Sequence, residues 1–224
     1  MATRPGKPAC HDRGAAGFVL AGGKSSRMGR DKARLELGGE TLLVRSLRIL
    51  RDARLTTAII GFCGPPIANA PNVADVEPNL GPLSGICGAL ASTPARHSVF
   101  ISVDMPFLPP SLIVYLLRRA QITLKAVTVV SVNGLNQTFP AVIDRVALST
   151  FQAEIAAGRN GCFSAFQAAA TGLGQTVDVI AAELLAQSGQ AADPDGLPPI
   201  HWFLNLNTPA DLERAEALLA RRIA

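Results

Sequence analysis

Gly17-Phe-Val-Leu-Ala-Gly-Gly-Lys-Ser-Ser-Arg-Met-Gly-Arg-Asp-Lys32 decides how the rest of the chain is read. Gly17 to Ala21 is continuously apolar, the pattern of a strand buried on both faces of a sheet. Beyond Ala21, Gly22, Gly23 and Gly29 stand among Lys24, Arg27, Arg30, Lys32 and, a little further on, Arg34. A glycine-rich turn after a strand can aim backbone N–H groups and cations at one polyphosphate. Without an anion the same residues would repel one another and lose chain entropy. The pattern therefore points to a phosphate-bearing ligand rather than a solvated turn. It is not a P-loop, which needs Gly-x-x-x-x-Gly-Lys-Ser/Thr; Gly23-Lys24-Ser25 would put the first glycine at Phe18.

Outward from this stretch, strand-like and helix-like segments alternate. Ala33–Leu37 reads as a short extended piece ended by Gly38-Gly39, and Thr41 as the cap of a helix reaching Asp52. On that helix Leu43, Leu47 and Leu50 make one face, and Arg45, Arg48 and Arg51 another. Strands are expected at Thr57–Gly61, Val73–Val76, Ser98–Val103, Ala126–Val132, Thr138–Ile143, Thr176–Ile180 and Trp202–Leu206. Asn133-Gly134 marks a hairpin turn between the fourth and fifth of these. Helices are expected after Gly81-Pro82, after Pro109-Pro110, over Ala147–Ala157 and Gly161–Ala170, and after Thr208-Pro209. Gln187–Pro199 reads as a mobile loop. Such alternation predicts an α/β fold: a Rossmann-like three-layer α/β/α domain, mostly parallel, with an antiparallel hairpin or edge strand. Residues 1–15 are expected to form a disordered leader and 16–224 one domain.

Composition narrows the function. Of 224 residues, 48% are hydrophobic and 17% charged, which suits a well-buried globular chain. The net charge is +4, and setting the basic residues of the glycine stretch aside leaves the chain close to neutral. The excess is a local anion site, without the wide stripe and stacking aromatics of a nucleic-acid surface. Cys10, Cys63, Cys87 and Cys162 form no Cys-x-x-Cys pair, and read as reduced, mostly buried thiols of a cytoplasmic protein. No apolar run reaches the ~20 residues of a membrane span. No Ser/His/Asp or Cys/His set stands out; His11, His97 and His201 are scattered.

Three polar clusters succeed apolar strands: the glycine stretch, Asp104, and Asn205 with Asn207. In open parallel sheets ligands bind outside the carboxyl ends of the strands, so these clusters should converge. Asp104 could hold Mg2+ beside phosphate oxygens, or merely cap a turn. Asn205 and Asn207 flank Leu206, which on an extended chain puts their side chains on one face. Gly85 and Gly88 each cost a helix about 1 kcal/mol relative to Ala, as if something such as a base or ribose came close there.

Leu20-Ala-Gly-Gly-Lys-Ser-Ser-Arg-Met-Gly-Arg-Asp-Lys32 resembles the Leu-Ala-Gly-Gly-x-Ser/Ala-x-Arg-Met-Gly-x-Asp-Lys pattern of nucleotidyltransferases with the nucleotide-diphospho-sugar-transferase fold. Gly81-Pro-Leu-Ser-Gly85, Val103-Asp-Met-Pro106, Phe139-Pro140 and Asn205-Leu-Asn-Thr-Pro209 come next in order, and the chain looks like the molybdenum cofactor guanylyltransferases. The resemblance implies GMP transfer from GTP to a molybdopterin-type molybdenum cofactor with release of pyrophosphate. Sister activities would be cytidylyl transfer to the same cofactor or transfer to a sugar phosphate. It implies that Leu20, Ala21, Gly22, Gly23, Gly29, Gly81, Gly85 and Lys32 bind nucleotide, with Arg27 on its phosphates and Asp75 on the guanosine. It further implies Mg2+ on Asp104, the pterin or its phosphate against Asn205 and Asn207, and Lys32, Arg27 and Asp104 as the catalytic set. The partners implied are GTP, the pterin cofactor, and proteins that insert molybdenum or receive the finished cofactor, with no nucleic acid and no membrane. One place departs from the pattern: where the family often has Asn, at the end of the second strand, this chain has Gly61, then Phe62-Cys63.

Overall fold

The first expected strand is β1, Ala16–Leu20, buried along its whole length. The structure, a computed structural model, describes residues 14–22, 31–67, 69–74 and 80–223. After β1 comes a hairpin of β2 (Glu36–Leu37) and β3 (Glu40–Thr41), turned by Gly38 and Gly39 at φ 62° and 77°. Lys32–Arg34, expected in part as extended chain, is instead a 3₁₀ turn. Its cause is local: the Asp31 carboxylate accepts the Ala33 N–H at 3.0 Å.

The remaining elements are, in order, α1 (Leu42–Asp52), β4 (Thr56–Ile60), β5 (Asn72–Val73), α2 (Pro82–Ser92), β6 (His97–Ser102) and α3 (Pro110–Thr123). Then come β7 (Val127–Val132), β8 (Leu135–Asp144), α4 (Leu148–Ala156), α5 (Cys162–Gly172), β9 (Asp178–Ala181), α6 (Ala182–Gln187), α7 (Pro199–Trp202) and α8 (Pro209–Ile223). Thr41 caps α1 as expected, its hydroxyl accepting the Val44 N–H at 3.3 Å.

Among the described residues the main sheet has seven strands in the order β5-β4-β1-β6-β8-β7-β9. Every pairing is parallel except those of β8, which runs antiparallel to both neighbours. The expected hairpin is β7–β8, with Asn133 and Gly134 at φ 49° and 73°, and it enters the sheet with β8 inside. Alternate side chains of each strand go to opposite layers. Val19, Ile59, Val99 and Ile101 pack with Leu43, Leu47 and Leu50 of α1 and Leu112 and Leu116 of α3. Phe18, Leu20, Ile60 and Phe100 pack with Leu83, Ile86 and Leu90 of α2 and Phe151 and Phe166 of α4 and α5. This is the expected three-layer α/β/α arrangement.

Two expectations are corrected. Arg45 does not share the outer face with Arg48. It is 7% exposed, and its guanidinium donates to the Leu37 carbonyl at 2.9 Å and meets Glu40 at 3.5 Å. The β2–β3 hairpin folds over that face of α1 and supplies the partners a buried cation requires. Trp202–Leu206 is not a strand. Pro198 and Pro199 start the short helix α7, the Trp202 indole N–H is satisfied by the Leu197 carbonyl at 2.7 Å, and 204–207 run on as irregular chain. The segment meets the sheet end where the Leu206 N–H donates to the Asp104 carbonyl at 3.0 Å.

Candidate active site

The order of the sheet changes direction beside β1. The chain goes from β1 to β4 on one side and later returns to add β6 on the other. At such a switch the loops leaving neighbouring strands splay apart and open a crevice at their carboxyl ends. Lys32 and Asp104 lie there. Asp104 stands two residues past the end of β6, and Lys32 is delivered by the turn that Asp31 caps.

The side chains meet. Lys32 Nζ donates to Asp104 Oδ2 at 2.9 Å and to Asn207 Oδ1 at 2.6 Å. The Lys32 and Asp104 side chains are 20% and 15% exposed, so the pair is partly screened from water. Three distant parts of the sequence thus close on one ammonium group. A pair this sheltered is a poor way to gain stability, because desolvation offsets much of its Coulomb energy. Its place at the switch of the sheet gives the better reason for it.

Backbone contacts fix the frame. Leu20, 6% exposed, ends β1, and its carbonyl accepts the Val103 N–H at 3.1 Å. The amides of Ala21 and Gly22 both donate to the Ile60 carbonyl, at 2.9 and 3.2 Å. Gly22 lies against Gly61 so closely that a Cβ on Gly61 would stand 2.8 Å from the Gly22 Cα. Gly61 also has φ 72°, a left-handed conformation suited to glycine. Gly61 is therefore a backbone fit against Gly22 at this position. Gly81, at φ 82°, is the N-cap of α2, and Gly85 is buried one turn in.

Asn205 and Asn207 do not share a hydrogen-bond partner. Asn207 reaches Lys32, whereas the Asn205 carboxamide donates back to the Phe203 carbonyl at 3.4 Å. The irregular chain removes the common face that a strand would have given them. Gly23, Arg27, Gly29 and Asp75 lie outside the described residues. Ser102, which no motif in the sequence marks, donates its hydroxyl to Asp104 Oδ1 at 2.6 Å. A weaker signal was there: Ser102 and Asp104 are two apart at a strand end, the spacing that brings side chains to one face.

Among the described residues no group of three or more His, Cys, Asp and Glu forms a metal cluster. The atoms that accept from Lys32 Nζ are a carboxylate oxygen and a carboxamide oxygen, and the second carboxylate oxygen accepts from a hydroxyl. These are hard oxygen donors already gathered about one cation, which fits Mg2+ held partly by substrate phosphates. The thiols of Cys87 and Cys162 are pushed up to about 11 and about 12 by burial, Cys162 further by its proximity to Cys87. Cys63 is exposed. His97 is buried 3.7 Å from Asp144, at the start of β6 and the end of β8, the opposite end of these strands from Asp104. No helix of the described residues is long and apolar enough to cross a membrane.

Residues 17–188 match the family described as "MobA-like NTP transferase domain". A molybdenum cofactor guanylyltransferase of Xanthomonas euvesicatoria is 42% identical over 106 residues, covering 47% of this chain and 54% of that one. The match thus spans about half the length of that relative. A protein of the same name from Rhizobium meliloti is 33% identical over 211 residues, 90% of each chain. A crystal structure of molybdopterin-guanine dinucleotide biosynthesis protein A from Archaeoglobus fulgidus superposes with a TM-score of 0.73 at 20% identity, over 92% of this chain and 99% of that one. At that identity the superposition shows the fold.

Proposed function

The chain belongs to the family of MobA-like NTP transferase domains, and from that premise we propose that it transfers GMP from GTP to a molybdopterin-type cofactor. The observation that carries the proposal is the meeting of Lys32, Asp104 and Asn207 at the switch of the sheet. A terminal phosphate oxygen of the acceptor attacks the α-phosphorus of GTP. A new P–O bond joins the two substrates, the bond from the α-phosphorus to the β-bridging oxygen breaks, and pyrophosphate leaves with those electrons. No covalent enzyme intermediate is needed, in keeping with the raised, unreactive thiols of Cys87 and Cys162.

What the protein contributes is positioning and charge. Lys32 presents its ammonium to the phosphates undergoing transfer. Arg27 and the glycine stretch are assigned the rest of the triphosphate, and Asp75 the guanosine. Asp104, with Asn207 beside it, would hold Mg2+, which when bound neutralises phosphate charge and aligns the leaving group. Asn207 then faces the acceptor, with Asn205 behind it orienting the irregular chain. Gly81 begins α2 at the carboxyl edge of the sheet, where a ribose or base can approach its backbone. Proteins that supply molybdenum or receive the finished cofactor are the partners this reading calls for, in the cytoplasm.

The melting temperature with each nucleoside triphosphate tests the base assignment, because a ligand stabilises the fold by mass action. With Mg2+, GTP at about 100 times its dissociation constant should add about 2.7 kcal/mol, and CTP at the same concentration much less. A larger rise with CTP would transfer the assignment to the cytidylyl reaction.

A further inference from the structure

We propose that Ser102 is the positioning residue that sets the orientation of the Asp104 carboxylate. The inference rests on the proposed roles of Lys32 and Asp104 in nucleotidyl transfer. Ser102 is the last residue of β6, in register with Leu20 of β1. Its carbonyl accepts the Met105 N–H at 3.3 Å, which closes the turn over Val103 and Asp104. Separately, its hydroxyl donates to Asp104 Oδ1 at 2.6 Å, the short distance of a charge-assisted O–H···O bond. Oδ2 is left for the Lys32 ammonium at 2.9 Å.

The two carboxylate oxygens therefore have separate tasks. The terminal torsion of an aspartate is broad, so an unheld carboxylate samples many planes. The Ser102 hydroxyl selects one, and in that plane Oδ2 faces the position Lys32 shares with Asn207 Oδ1. The same oxygen would be offered to a divalent cation. Turn closure and carboxylate orientation use different atoms of Ser102. Alanine keeps the backbone bond and deletes only the hydroxyl, so the two roles can be separated.

The test compares wild type, S102A and S102T of the full chain. Manganese binding in the presence of GTP is read from the free-ion EPR signal, and thermal unfolding and the magnesium dependence of pyrophosphate release are measured alongside. S102A should bind Mn2+ about tenfold more weakly, the scale of losing one hydrogen bond to a charged group. Its magnesium requirement should rise in parallel, with a melting temperature close to wild type. S102T, which restores a hydroxyl, should recover Mn2+ affinity to within about twofold of wild type. Equal Mn2+ binding by wild type and S102A would overturn the inference, as would S102T being as impaired as S102A. If wild type releases no pyrophosphate, the transferase reading fails, and the Mn2+ comparison still decides the role of Ser102.

Discussion

Lys32 carries the most direct chemical assignment in the molecule. Its ammonium is held by Asp104 and Asn207 through bonds of 2.9 and 2.6 Å. Replacing it with alanine should lower turnover by roughly 10²–10³-fold, the scale of deleting one preorganised charge-stabilising donor. Steady-state pyrophosphate release checks this, and near-normal turnover would refute the assignment. Arginine should not rescue, since a planar guanidinium cannot replace a compact ammonium between two close acceptors. Gly61→Ala should behave differently. A Cβ 2.8 Å from the Gly22 backbone, at φ 72°, should cost about 1–3 kcal/mol in urea unfolding, with the Gly22 backbone displaced. Asp104 was legible in the sequence because a carboxylate just past a buried strand is a local pattern, whereas Lys32 was marked by the glycine stretch and the resemblance it carries. The closeness of Gly61 to Gly22 was not. It depends on β1 and β4 being neighbours, and Gly61 stood out only as a departure from the family's Asn.

The N-terminus of α8 places Asn207. The Asp211 carboxylate accepts the N–H groups of Asn207 and Thr208 at 3.0 and 2.8 Å, and the Thr208 hydroxyl in turn accepts the Asp211 N–H at 3.2 Å. This is a capping box with aspartate in the reciprocal position. The Thr208 hydroxyl above all, then the Asn207 amide, holds the Asp211 carboxyl below its ordinary range. A depressed carboxyl favours the folded state above the ordinary Asp range, and that contribution is lost as pH falls through the folded-state value. Asp211→Asn should therefore be less stable than wild type at neutral pH, and the gap should close as the solution is acidified below that range. Denaturant unfolding as a function of pH measures it; a gap independent of pH would contradict the account. Thr208→Ala should cost about 1 kcal/mol by the same assay. The cap was legible because Thr208-Pro209-Ala-Asp211 carries its own local chemistry. The preceding segment was misread as a strand because Trp202-Phe-Leu is apolar in either conformation, and only the prolines at 198 and 199 distinguish a helical start.

At the scale of the whole molecule, two apolar layers hold the sheet and the sheet holds the site. Leu47, wholly buried between α1 and the sheet, should cost about 2–5 kcal/mol on truncation to alanine. That would lower the melting temperature while leaving the chemistry of the remaining folded molecules intact, the reverse of Lys32→Ala. Alternating segments made the parallel layers legible, and Asn133-Gly134 made the hairpin so. The insertion of β8 between β6 and β7 was not legible, because strand order is set by long-range pairing that no local window contains. If this frame brings GTP and a pterin phosphate together for transfer at the α-phosphorus, the reaction can be followed atom by atom. A single-turnover experiment with GTP labelled at the α-phosphate, molybdopterin and Mg2+ tests it most directly. The label should appear in a pterin–guanine dinucleotide with one pyrophosphate released per label transferred, and Lys32→Ala should slow both by roughly 10²–10³-fold. Label appearing in free GMP, or transfer from CTP in preference to GTP, would contradict it.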